Sequence, residues 1–102
     1  MLPKYKLINI DQEQWIGFDE KFPGIEGHHV VLQLSEKLNI SEDKISLLLN
    51  IANNQRENGM SFVVIQRDID IDSFPEELNI VPTLQEAEDV LEMEAIERDL
   101  GF

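Results

Sequence analysis

Apolar positions recur along this chain with two periods, which predict a sheet with helices packed against it. Five short segments have the alternating or continuous apolar pattern of β-strands, namely residues 4–10, 14–18, 29–34, 61–66 and 79–81. Residues 41–58 and 83–100 instead repeat apolar side chains every three or four positions, which indicates amphipathic helices. Residues 70–74 would add one helical turn before Pro75. The order of these elements predicts an α/β domain with a mixed sheet.

Both long helices carry the residues that commonly start a helix. Ser41 is followed by Glu42 and Asp43, so a capping hydroxyl precedes two acids that the helix dipole favours. Thr83 and Glu86 have the Thr-x-x-Glu spacing of a capping box. Because strand-like segments flank the first helix within residues 29–66, we expect a right-handed βαβ unit with parallel strands at the centre of the sheet.

The last predicted helix has an apolar side and a strongly acidic side. We expect the apolar side to contain Leu84, Ala87, Val90, Leu91, Ile96 and Leu100, and the acidic side to contain Glu86, Glu88, Asp89, Glu92, Glu94, Glu97 and Asp99. A capped acidic helix of this kind suggests a surface for a protein partner. A solvated, charged surface is the more ordinary interpretation.

Composition places the chain among small acidic single-domain proteins. Its 102 residues suit one domain over residues 1–102, and it has no cysteine. The net charge is −13, of which residues 67–102 contribute −10. Such a field repels nucleic acid and anionic membranes, and it would steer a basic partner. Without cysteine, a signal peptide's apolar core or an apolar stretch of roughly 20 residues, the sequence predicts a cytoplasmic protein.

The order and spacing of the elements resemble the STAS domain, the fold of sulphate-transporter cytoplasmic tails and of bacterial anti-sigma factor antagonists. The resemblance rests on residues 30–35, 39–45, 59–65 and 81–87. The C-terminal run from Val81 onward also resembles small Bacteroidetes proteins encoded beside ribonuclease Z, some of which carry that enzyme's name. Ribonuclease Z needs a His-x-His-x-Asp-His cluster, whereas this chain has only His28 and His29. The resemblance therefore implies a non-catalytic regulatory module that binds a protein, and an accessory protein of an RNA-processing enzyme is the alternative.

The same resemblance implies a partner surface at the start of the first long helix. In the family, a serine there is phosphorylated by a kinase that is itself the anti-sigma factor. An ungapped comparison puts Glu42 at that serine, so this chain would lack the usual phosphosite. A shift of one residue would make Ser41 the phosphosite, and a plain capping role for Ser41 is the third possibility. The implied partner-binding residues are Ser35, Asn39, Ser41, Glu42, Asp43 and Lys44.

No residue pattern in the chain points to catalysis, a metal or another cofactor. His28 and His29 are adjacent in a strand-like segment, so they would point to opposite faces and would not chelate one ion together. The acids from Asp68 to Asp72 alternate as in a calcium loop but lack its glycine and its final glutamate. A small-ligand binder remains the second class of function. Its site would lie at the carboxyl ends of the parallel strands, on residues 35–40, 67–74 and 82–83.

Overall fold

The computed structural model describes residues 2–18, 27–35, 38–67 and 74–101. Its elements are, in chain order, β1 (Tyr5–Ile10), α1 (Gln12–Ile16), β2 (His29–Leu34), α2 (Glu42–Glu57), β3 (Phe62–Ile65), β4 (Ile80–Val81) and α3 (Leu84–Asp99). The predicted turn at residues 70–74, apart from Phe74, and the alternating acids from Asp68 to Asp72 lie outside the described residues.

The four strands form one sheet in the order β1-β2-β3-β4, which confirms the α/β class. The predicted βαβ unit is also confirmed, because β2 pairs in parallel with β3 and α2 lies between them in the chain. The prediction of a mixed sheet is wrong for the described strands, since β1 also pairs in parallel with β2 and β3 with β4. All four strands therefore end at the same edge of the sheet, which we call the carboxyl edge.

The prediction of a strand at residues 14–18 is wrong, because this segment contains most of α1. Asp11 and Gln14 form a capping box in which each side chain accepts the other residue's backbone N–H at 2.9 Å. Trp15 and Phe18 are both buried, and their rings stack with centroids 5.4 Å apart. The Phe18 N–H donates to the Trp15 backbone oxygen at 3.2 Å, and this turn at the end of α1 brings the two rings onto one side, whereas a strand would have turned them to opposite faces. Burial of both rings therefore favours the helix.

Alternate residues of the strands enter two separate apolar cores. One core packs under α1 and α2 and contains Ile10, Val30, Leu32, Leu34, Phe62 and Val64 from the sheet with Trp15, Leu48 and Ile51 from the helices. The other packs under α3 and contains Val31, Val63 and Ile65 with Ala87 and Leu91. The described residues therefore form a three-layer α/β/α domain in which, of the described helices, α3 alone packs on its face of the sheet.

The predicted starts of α2 and α3 are confirmed. The Ser41 hydroxyl accepts the Lys44 backbone N–H at 3.3 Å, and the Thr83 hydroxyl accepts the Glu86 backbone N–H at 3.2 Å. The second half of the predicted capping box differs, because the Glu86 carboxylate accepts from the Thr83 hydroxyl. Since α3 follows β4 directly, its first turn lies at the carboxyl edge and its later turns run back toward the other edge.

Candidate functional site

The start of α2, which the family resemblance implies as the partner surface, contains both packed and solvent-facing residues. The Lys44 ammonium donates to the backbone oxygens of Trp15 at 2.7 Å and Phe18 at 3.1 Å, and it lies 5.0 Å from the Trp15 ring centroid. Glu42 and Asp43 are exposed in the first turn of α2. The side chain of Lys44 therefore holds α1 against α2, while the two acids present their charge to solvent.

The remaining predicted partner-binding residues lie between the carboxyl edge and the start of α2. The Ser35 hydroxyl donates to the Ile10 backbone oxygen at 3.1 Å, which joins the ends of β1 and β2. The backbone oxygen of Asn39 accepts from Trp15 Nε1 at 3.0 Å. Ser41 caps α2, which agrees with the capping interpretation and leaves its phosphorylation as a prediction. With Lys44, these contacts give four of the six residues a structural role, whether or not a partner binds there.

The outward face of α3 carries an unexpected row of large apolar side chains. Met93, Ile96 and Leu100 expose 61%, 53% and 64% of their surface, and we call these three residues the α3 ridge. The prediction of a single apolar side is wrong, because Ile96 and Leu100 are exposed while Ala87 and Leu91 are fully buried. Asp89 precedes the ridge in the same row, so the outward row has steps of four, three and four residues. The row that faces the core starts at Ala87 and has the same steps, through Leu91, Glu94 and Arg98. The two rows start two residues apart, so they lie about 200° apart around the helix.

The inward face of α3 carries Glu94, which the sequence pattern assigns to the acidic side, and Arg98. Glu94 accepts from the Ser61 hydroxyl at 2.5 Å and from Asn79 Nδ2 at 3.2 Å. Arg98 donates to the same Ser61 hydroxyl at 2.9 Å and lies 3.8 Å from the Glu94 carboxylate. Because Ser61 is only 1% exposed, this network fixes the C-terminal half of α3 to the start of β3. The i, i+4 spacing of Glu94 and Arg98 was the only sequence signal for it.

Two titratable side chains at the start of the sheet have shifted pKa values. His29 Nδ1 accepts the Ser61 backbone N–H at 2.9 Å, and burial, followed by the charge of Arg98, lowers the pKa of His29. The nearby Glu94 carboxylate opposes this shift. Burial raises the pKa of Tyr5, and the hydrogen bond from its hydroxyl to Glu88 at 2.8 Å adds to the shift. In both residues the shift of the pKa favours the neutral form, and burial is its main cause.

A cleft of about 530 Å³ opens at the carboxyl edge, between the starts of α1 and α3. Its polar lining includes Asn9, Gln33 and Arg67, and its apolar lining includes Ile65 and Leu84. The cleft exists because α1 leaves the end of β1 toward one face of the sheet while α3 leaves the end of β4 toward the other. The small-ligand site, which the sequence predicts as the alternative to a protein-binding surface, would lie at this same edge.

The described residues show no metal-binding cluster, since no three His, Asp or Glu side chains among them are arranged to hold an ion. His28 is exposed, whereas Nδ1 of His29 accepts the Ser61 backbone N–H. None of α1, α2 and α3 is long and apolar enough to cross a membrane.

Comparisons of the chain with models of protein families, with curated proteins and with solved structures find no match. The resemblance to STAS domains therefore stays a prediction.

Proposed function

We propose that this chain is a non-catalytic protein-binding module whose partner surface is the α3 ridge. The observation that carries the proposal is the exposure of Met93, Ile96 and Leu100 by more than half on one helix face. Three side chains of this size expose on the order of 300 Å², which matches the largest apolar patch of a typical monomer. Patches of that size are commonly interaction sites, because burying them in a partner releases ordered water.

The charges around the α3 ridge favour a basic partner. Glu92, Glu97 and Asp99 are exposed beside the ridge, and Asp89 is exposed at its start. A second copy of this chain would bring two such rows of acids together, within a pair of molecules that each carry a net charge of −13. Like charges placed across an interface cost several kcal/mol. The partner that fits is an amphipathic segment with apolar side chains along one side and lysine or arginine beside them.

The regulatory role that the family resemblance implies is compatible with this proposal, although it would use a different surface. An anti-sigma factor antagonist would contact its kinase through the start of α2, where Glu42 and Asp43 are exposed. That region and the α3 ridge lie on opposite faces of the sheet, because α2 and α3 pack on separate cores. Substitutions can therefore test the two surfaces independently.

The test compares the wild-type chain with the triple variant Met93→Ser, Ile96→Ser, Leu100→Ser. Because the three side chains are exposed, we expect the free energy of unfolding to change little. The matched control is Ile16→Ser on α1, which removes an apolar side chain that is 75% exposed outside the ridge. Each protein is used to capture partners from the native cell extract, and a captured protein is then purified and titrated by calorimetry.

We expect the wild type and the Ile16→Ser control to bind the purified partner equally. The triple variant should weaken the complex by about 2 kcal/mol or more, the usual loss when central apolar contacts are removed. Raising the salt concentration should weaken the wild-type complex moderately, because the flanking acids act over a Debye length of about 8 Å at physiological ionic strength. Equal affinity of the triple variant and the wild type would contradict the proposal.

A further inference from the structure

Two carboxamide side chains lie together in the cleft at the carboxyl edge. Asn9 and Gln33 are partners in the parallel register of β1 and β2, so their side chains leave the same face of the sheet next to each other. Both line the cleft, and the next residue across the sheet in that row is Ile65 of β3. The cleft therefore has two adjacent amide groups beside an apolar floor.

Gln33 differs from the two buried glutamines, Gln55 and Gln66. It interrupts β2, whose residues Val30, Val31, Leu32 and Leu34 are all buried. The buried carboxamides of Gln55 and Gln66 each donate to a backbone oxygen, of His28 at 2.7 Å and of Leu38 at 2.6 Å. The side chains of Asn9 and Gln33 make no such bond within the described residues. Two amide groups in one cleft thus have donors and acceptors available to a ligand.

The chemistry of the lining selects one class of ligand. A carboxamide presents a donor and an acceptor side by side, and this pattern is complementary to a lactam, in which an N–H lies next to a C=O. The partly exposed side chains of Pro82 and Leu84 offer the apolar surface that a flat ring would cover. An uncharged ligand fits best, because the two charged side chains of the lining, Asp11 and Arg67, have opposite signs and offset each other.

We propose that the cleft between α1 and α3 binds an uncharged, flat ring with a lactam edge, which Asn9 and Gln33 recognise through paired hydrogen bonds. This site is separate from the α3 ridge, since it lies at the first turn of α3 and the ridge occupies the last two turns. It would make the protein a ligand-responsive module. It does not depend on the identity of the protein partner.

The test is a titration of the full ¹⁵N-labelled chain followed by NMR, with 2-pyridone as the probe. N-methyl-2-pyridone is the matched control molecule, because it has the same ring and carbonyl but no N–H. We expect 2-pyridone to shift the side-chain amide signals of Asn9 and Gln33 and the backbone amides of Ile65 and Leu84. A probe this small should bind with a dissociation constant on the order of 1 mM. N-methyl-2-pyridone should bind about tenfold more weakly, since it loses one of the paired bonds.

Variants of the protein provide the second half of the test. Gln33→Leu fits the apolar pattern of β2, so it should fold, and it should weaken 2-pyridone binding about tenfold. Asn53→Leu, on the exposed side of α2, should leave binding unchanged. Equal binding of the two pyridones, or equal binding by Gln33→Leu and the wild type, would overturn recognition of the lactam edge. Tighter binding of benzoate than of 2-pyridone, or no shift of the Asn9 and Gln33 signals, would overturn the proposed ligand class.

Discussion

Replacing Glu94 with alanine should destabilise this fold far more than replacing its neighbour Glu92. The two acids are two residues apart on α3, and a helical pattern alone places both on the acidic side. In the structure Glu94 faces the sheet and accepts from Ser61 and Asn79, while Glu92 is exposed. Both changes create the same alanine in the same helix, so the gain in helix propensity is shared.

The expected magnitude follows from the groups that Glu94→Ala leaves behind. The buried Ser61 hydroxyl loses its acceptor, and an unsatisfied buried donor costs about 1–3 kcal/mol. Asn79 is half-buried, so water can replace part of its lost bond. The ion pair with Arg98 is about one-third exposed and contributes less than about 1 kcal/mol. We therefore expect a loss of about 2–4 kcal/mol for Glu94→Ala and less than about 0.5 kcal/mol for Glu92→Ala.

The assay is urea unfolding of the two variants and the wild type, followed by circular dichroism. A double-mutant cycle with Ser61→Ala should give a coupling energy of about 1 kcal/mol or more, because the two side chains share one hydrogen bond. Losses for Glu94→Ala and Glu92→Ala that agree within about 0.5 kcal/mol would refute the reasoning. In that case the inward face of α3 would not be held by this network.

Three further predictions concern the start of α2 and the start of β2. Lys44→Met keeps the apolar stem but removes the bonds to the Trp15 and Phe18 carbonyls and the ring contact, so unfolding in urea should show a loss of about 2 kcal/mol. An unchanged midpoint would contradict this role. Replacing Glu42 and Asp43 with lysine should change the affinity of a partner bound at the α3 ridge by less than about 0.5 kcal/mol at physiological salt. A loss of about 1–3 kcal/mol, measured by calorimetry, would instead show that the partner binds at the start of α2, the surface that the family resemblance implies. The pKa of His29 is lower in the folded than in the unfolded protein, so as the pH drops the unfolded chain takes up a proton at this imidazole before the folded chain does. Stability should therefore fall as the pH drops below about 6.5 and become constant below the pKa of the folded state. Urea unfolding at several pH values checks this, and His29→Gln should remove the step that the wild type shows.

The central part of the fold could be predicted from sequence because its residues leave few alternatives. β2 and β3 are short, almost continuously apolar runs, and such runs form strands that are buried on both faces. Ser41 and Thr83 marked the helix starts through local hydrogen bonds. These features depend on residues close together in the chain, so the local sequence pattern predicts them.

The predictions that are wrong concern segments whose structure depends on contacts between residues far apart in the chain. Five residues of α1 are too few for a helical period to be distinguished from alternation, and the burial of Trp15 depends on packing against α2. On α3, two rows have the same spacing, and contacts with distant residues decide which row faces the sheet, such as the bond between Glu94 and Ser61, 33 residues earlier. The pairing of Asn9 with Gln33 likewise depends on the strand register, which the sequence does not reveal.

The thin apolar attachment of α3 has a consequence for hydrogen exchange. Only Ala87 and Leu91 of this helix are buried, and the rest of its attachment to the sheet consists of polar bonds and partly buried side chains. Amide protons of α3 should therefore exchange through an opening of lower free energy than those of β2 and β3, which exchange only on global unfolding. That opening would uncover Val31, Val63 and Ile65, an apolar strand surface of the kind that promotes aggregation. A partner bound to the outward face of α3 would bind only the closed form, so it would slow exchange throughout the helix and protect the sheet behind it.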